Sequence, residues 1–114
     1  MKKNTVVEQI KEYIEKHLEE KLSLEIISKE LNYSKFYMAR VFAENMDCTI
    51  YKYIQERRLS KAAKKLVETD KSIIEIAYEA QYNSQQAFSL AFQRKYFCTP
   101  GKYRRQSSEV RMAA

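Results

Sequence analysis

Apolar residues recur at helical spacing along most of the chain. Val6, Val7, Ile10, Ile14 and Leu18 share one face, with Glu and Lys opposite, which predicts an amphipathic helix over 5–20. Ser23 is placed to cap a short helix over 24–31, with Leu24, Ile27 and Leu31 inward. Asn32-Tyr33 ends it, since Asn is at ease in the left-handed conformation. Ser34 then opens a helix over 35–46 with Met38, Val41 and Phe42 inward, and Thr49 opens a long helix to residue 67 through Ile50, Ile54, Leu59, Ala62, Ala63 and Leu66. Ser72-Ile73-Ile74-Glu75 has the capping-box pattern and starts a helix over 73–80. After a turn at Gln81-Tyr82-Asn83, Ser84 caps a helix over 85–96 with Phe88, Ala91 and Phe92 inward. Thr99-Pro100 starts a last short helix over 100–105, and 107–114 is expected to be a disordered tail.

These elements repeat. Cys48-Thr49-Ile50-Tyr51-Lys52-Tyr53 returns fifty positions later as Cys98-Thr99-Pro100-Gly101-Lys102-Tyr103, and Phe42/Phe92 and Ser34/Ser84 follow the same shift. Upstream the shift is 49, pairing Ser23 with Ser72, Ile27 with Ile76 and Tyr33 with Tyr82, so the second turn has gained Asn83. Each copy reads as short helix, turn, longer helix, the helix-turn-helix outline. The expected fold is all-α, with seven helices and two helix-turn-helix subdomains joined by a linker helix. The expected division is 1–48 for the first helix and first subdomain, 49–68 for the linker, 69–106 for the second subdomain and last helix, and 107–114 for the tail.

Composition narrows the picture without changing it. The 114 residues include one Gly and one Pro, too few for the tight turns of a many-stranded sheet and without the Gly-rich loops that cradle nucleotides. One His and two Cys fall short of the usual four-ligand zinc sets, and no nucleophile–base pair is evident, so neither an enzyme nor a cofactor is expected. Cys48 and Cys98, with no signal peptide ahead of them, read as free thiols in a reducing cytoplasm. No apolar run is long enough for a membrane span. The net charge of +6 is uneven. Residues 1–48 carry 8 basic and 9 acidic side chains, while 49–114 carry 13 and 6. A basic excess of this kind suits a polyanionic partner, or simply a solvated face.

In a helix-turn-helix the second helix enters the major groove, and its outward N-terminal residues meet base edges. With Met38, Val41 and Phe42 inward, the outward residues of the first copy are Lys35, Phe36, Ala39 and Arg40. The Arg40 fork suits guanine O6 and N7; Phe36 suits a thymine methyl or a sugar, or else packs on the first helix. In the second copy Gln85, Gln86, Ser89 and Leu90 face out, and paired glutamines suit adenine. Ser34, Arg57, Lys61, Ser84, Gln93, Arg94 and Lys102 are the expected phosphate contacts, although Arg57 and its neighbour Arg58 cannot both point the same way. A linker of about 18 residues is about 27 Å long. That is close to the ~34 Å of one DNA turn, so a monomer would read two successive grooves on one face of double-stranded DNA.

These residues resemble the DNA-binding domain of the AraC/XylS family of bacterial transcription regulators, most of all its small MarA-, SoxS- and Rob-type members. The stretches that carry the resemblance are Tyr33 to Phe42, Tyr53-Ile54 through Arg58-Leu59, Tyr82 with Ser84 to Ser89, Phe92, and the closing Thr99-Pro100-Gly101-Lys102-Tyr103-Arg104. Together they span most of residues 5–105. The resemblance implies seven helices, monomeric binding to an asymmetric promoter site, and contact with RNA polymerase. It also implies groove-facing roles for Phe36, Ala39, Arg40, Gln85, Gln86, Ala87, Ser89 and Leu90. The chain departs from the family pattern at Phe36 (usually Trp), Ala39 (often Gln) and Leu90 (often Arg), and carries Asn32 and Gln81 where each turn usually has Gly. A different target sequence and a weaker second reading helix are expected.

The leading reading is therefore a sequence-specific transcription regulator of activator type, working at the nucleoid. The alternatives are a helical module that docks on protein, for example RNA polymerase, and a nonspecific nucleic-acid binder. Arg40 and Gln85/Gln86 separate them, because only a specific reader needs those side chains. The polar Ser107-Ser108-Glu109 suits a linker to a further effector domain as well as it suits a chain end.

Overall fold

The computed structural model describes residues 2–113, with side chains over 5–110. Seven helices and no strands are found among the described residues: α1 (Lys2–Lys16), α2 (Leu24–Leu31), α3 (Lys35–Met46), α4 (Ile50–Glu68), α5 (Ile73–Glu79), α6 (Gln85–Tyr96) and α7 (Pro100–Ala113). None is long and apolar enough to cross a membrane.

The chain forms two compact units, and the division falls inside α4, between Arg57 and Arg58. The linker is thus no separate segment. Its first half supplies Ile50 and Ile54 to a core with Val6, Val7, Ile10, Ile14, Leu18, Ile27, Met38, Val41 and Phe42. Its second half supplies Leu59, Ala62, Ala63 and Leu66 to another core with Ile76, Ala77, Ala80, Phe88 and Phe92. The fully buried phenylalanines Phe42, Phe88 and Phe92 are large contributors, each stabilising by about 2–3 kcal/mol relative to exposure.

The sequence repeat is a repeat of packing and capping. Ser34 and Ser84 each accept a backbone N–H three residues on, from Tyr37 (3.1 Å) and Ala87 (3.0 Å). Both following helices have 12 residues, and both are closed by a left-handed residue, Asp47 (φ 56°) and Phe97 (φ 63°). Thr49 and Thr99 then cap α4 and α7, accepting from the Lys52 N–H (3.0 Å) and the Lys102 N–H (3.2 Å). Tyr53 meets Phe42 edge-on at 5.4 Å, and Tyr103 meets Phe92 edge-on at 5.3 Å.

Two ends differ from expectation. The helix expected over 5–20 stops at Lys16. Leu18 is still buried, but from tight turns in which the His17 N–H bonds to the Ile14 carbonyl and the Glu20 N–H to that of His17, so the apolar pattern outlives the helix. The last helix runs well past residue 105. Of residues 107–114, expected as a disordered tail, 107–113 continue α7, since no Gly or Pro after Gly101 interrupts it, and 114 lies outside the described residues.

Candidate nucleic-acid interface

Each unit presents the exposed N-terminal half of the second helix of its helix-turn-helix, α3 in the first and α6 in the second. The turn before it sets its start. Asn32 is left-handed (φ 60°), and the Tyr33 N–H reaches back to the Ser28 carbonyl (3.3 Å). Gln81 does the same at φ 67°, with the Tyr82 N–H on the Ala77 carbonyl (3.1 Å). The position where Gln81 replaces the family's usual Gly is therefore left-handed, held by the five-residue return bond that closes the helix before it.

In the first unit, Lys35, Phe36, Ala39 and Arg40 are all exposed. Phe36 is 87% exposed, so it does not pack on the first helix, and an aromatic ring stands on the surface. The Lys35 ammonium lies 3.6 Å from Glu25. Arg40 lies over the Tyr37 ring, 5.9 Å from its centre. Tyr37 leans on Tyr33 (5.8 Å), whose hydroxyl donates to Gln9 Oε1 (2.8 Å). Arg40 is thus backed by a chain of aromatic contacts reaching α1. Sequence reasoning missed Tyr37 in this role; the signal was an aromatic three residues before an arginine on one helix face.

In the second unit, Gln85, Gln86, Leu90, Gln93 and Arg94 are exposed and Ser89 is half-buried. None of the residues from Gln85 to Gln93 is charged. Ser34 and Ser84 each use an acceptor lone pair in capping, which leaves the hydroxyl hydrogen available to donate outward.

The expected phosphate contacts divide. Arg94 and Lys102 are exposed, and Lys61 is half-buried on α4. Arg57 turns toward α1: one edge of its guanidinium, through Nε and one terminal nitrogen, meets the two carboxylate oxygens of Glu15 at 2.8 and 3.0 Å. Arg104 is also structural. It donates to the carbonyls of Leu66 (2.9 Å), Thr69 (3.3 Å) and Lys71 (2.7 Å), gathering the chain where α4 ends. Lys65 and Lys71 both bond Glu79, at 2.7 and 2.6 Å. Those hydrogen bonds hold the Glu79 carboxyl below its ordinary range.

Comparison with known proteins agrees with this geometry. A family model described as a helix-turn-helix domain matches residues 27–106. Regulatory protein SoxS of Salmonella typhimurium is 36% identical over 104 residues, covering 91% of this chain and 97% of that protein. An AraC-type transcriptional regulator from Chromobacterium violaceum superposes with a TM-score of 0.87 at 27% identity, over 91% of this chain and 93% of that one. The DNA-binding domain of AdpA, solved in complex with a target DNA, shares the fold with a TM-score of 0.85 at 20% identity, over 95% of this chain and 97% of that one.

Proposed function

The chain belongs to the AraC-type family of helix-turn-helix DNA-binding transcription regulators, and from that premise we propose that it reads two successive major grooves as a monomer. In this reading Lys35, Phe36, Ala39 and Arg40 meet bases in one groove, and Gln85, Gln86, Ser89 and Leu90 meet them in the next. Ser34, Lys61, Ser84, Gln93, Arg94 and Lys102 hold phosphates and fix the register. Arg57 is left out because one edge of its guanidinium is held by Glu15.

The observation that carries this reading is the duplication within one chain of a capped helix whose exposed first half is free of acidic residues. An acid-free face can approach a polyanion without repulsion, and two such faces in one chain remove the need for a palindromic site. We assign the chain the activator role, with RNA polymerase as its protein partner and the nucleoid as its place of action.

Selection from a random duplex pool tests the reading, followed by anisotropy titration of the winner and a scrambled control at several salt concentrations. The expected result is an asymmetric motif with two elements about one turn apart, bound ~10³-fold or more tighter than the scramble. Arg40→Ala should then lose about 1–3 kcal/mol on the motif and little on the scramble, while Lys102→Ala, which removes a proposed phosphate contact, weakens both alike. Equal affinity and equal salt slope for both duplexes would leave only backbone contact. Transcription in vitro with purified polymerase checks the activator assignment.

A further inference from the structure

The two reading helices are equivalent position by position, and their chemistry is not. Both have 12 residues, both start from a capping serine, and both close on a left-handed residue, so a shift of fifty superposes their registers. Under that shift Arg40 corresponds to Leu90, Phe36 to Gln86, and Lys35 to Gln85. Arg40 and Leu90 are both exposed, Leu90 by 55%, so each is presented outward and not claimed by the core. The charge order is also reversed. In α3 the cations stand at Lys35 and Arg40, with Glu44 near the end; in α6 the first nine residues are uncharged, and the cations are Arg94 and Lys95.

Base-edge chemistry converts this difference into a difference of target. Guanine offers two acceptors in the major groove, and Arg or Lys is the side chain that takes both. Only α3 holds such a cation on its exposed N-terminal half. Lys35 is partly neutralised by Glu25, which leaves Arg40, resting on the Tyr37 ring, as the guanine reader. Nothing between Gln85 and Leu90 can make that contact. Glutamine suits adenine N6 and N7, and an exposed leucine side chain offers an apolar surface that suits the thymine methyl.

Resting on the two-groove reading, we propose that Arg40 and Leu90 are paired specificity determinants that make the target site chemically lopsided. The half-site under α3 contains the guanine that direct contact requires. The half-site under α6 is read as A·T pairs alone, with a thymine methyl against Leu90. The second half-site therefore draws its discrimination from amide hydrogen bonds and methyl contact, and its cations serve only the backbone.

Base-analogue scanning of the selected duplex tests this. Each guanine is replaced in turn by 7-deazaguanine, which lacks the N7 acceptor, and each thymine by uracil, which lacks the methyl. The half-site belonging to α3 is the one whose guanine penalty disappears in Arg40→Ala. The expected result is a loss of about tenfold or more for a guanine in that half and none for any guanine in the other. A uracil at one thymine of the second half should weaken binding several-fold for the wild-type chain and not for Leu90→Ala. Leu90 is exposed, so Leu90→Arg should fold normally, and repeated selection with it should bring a guanine to that thymine's position. A guanine penalty in the α6 half, or a Leu90→Arg selection unchanged from wild type, overturns the assignment and leaves two-groove reading standing. No analogue effect in either half overturns both.

Discussion

The guanidinium of Arg57 meets the carboxylate of Glu15 fork to fork, with Nε 2.8 Å from one oxygen and a second nitrogen 3.0 Å from the other. The pair ties α1 to the first half of α4 across 42 residues of sequence. Both side chains remain more than a third exposed, so solvent screens the attraction, and the bidentate geometry supports a contribution of about 0.5–1 kcal/mol. Arg57→Ala is expected to lower urea stability by that amount and to leave the salt dependence of DNA binding unchanged. A salt slope reduced by about one phosphate would return Arg57 to the interface.

Arg104 is expected to matter more. A helix leaves its last four carbonyls without intrahelical partners, and Arg104 supplies donors to Leu66 at the end of α4 and to Thr69 and Lys71 beyond it. Arg104→Ala should destabilise by about 2 kcal/mol, because charged donors are removed and carbonyls lose their partners. Arg104→Lys should recover little of this, since a single ammonium cannot span three carbonyls in a fixed plane. Chemical denaturation of the three proteins gives the ranking.

The helices were readable in the sequence wherever a cap and an apolar stripe coincided. α2, α3 and α6 begin after Ser23, Ser34 and Ser84 and carry Ile27, Met38, Val41, Phe42, Phe88 and Phe92 inward, as the pattern requires. The repeat was equally legible, because its caps and aromatic anchors recur at a nearly fixed shift. The ends of α1 and α7 were not. Leu18 keeps the apolar rhythm from outside the helix, and residues 106–113 form helix with little apolar signal. At the interface, the exposed positions of α3 and α6 follow from which residues the core claims. The fates of Arg57 and Arg104 do not, since a basic side chain on a helix reads alike whether it meets solvent, phosphate or a carboxylate brought near by the fold.

Glu79 gives the second unit a pH dependence of predictable sign. Hydrogen bonds from Lys65 and Lys71 are the largest influence on its carboxyl and lower it from the ordinary glutamate value, outweighing the opposing effect of burial. Below about pH 5 the unfolded chain begins to take up this proton while the native state resists it. The contribution is thus fully present above the unfolded value of about 4.3 and is lost as pH falls through the lower native value. Glu79→Gln should lower stability at pH 7 and flatten the acid side of the stability–pH curve. Parallel curves for the two proteins below pH 5 would show that the lysine contacts are absent in solution.

Four non-glycine residues adopt left-handed backbone, at Asn32, Asp47, Gln81 and Phe97 among the described residues, and they do so at unequal cost. Asn and Asp tolerate that region because a short polar side chain can bond locally, whereas Phe and Gln meet the steric penalty of about 1–2 kcal/mol. Phe97 gains nothing from packing in return, being 88% exposed. Glycine removes the clash but adds freedom to the unfolded chain, an opposing effect of about 0.4–1 kcal/mol. Phe97→Gly is therefore expected to raise stability by about 0.5–1 kcal/mol, and Gln81→Gly by a similar amount, while Asn32→Gly changes it little. Thermal and urea unfolding of the three variants check the order. A Phe97→Gly protein that is less stable than wild type would mean that the ring makes a contact in solution worth more than the strain it imposes.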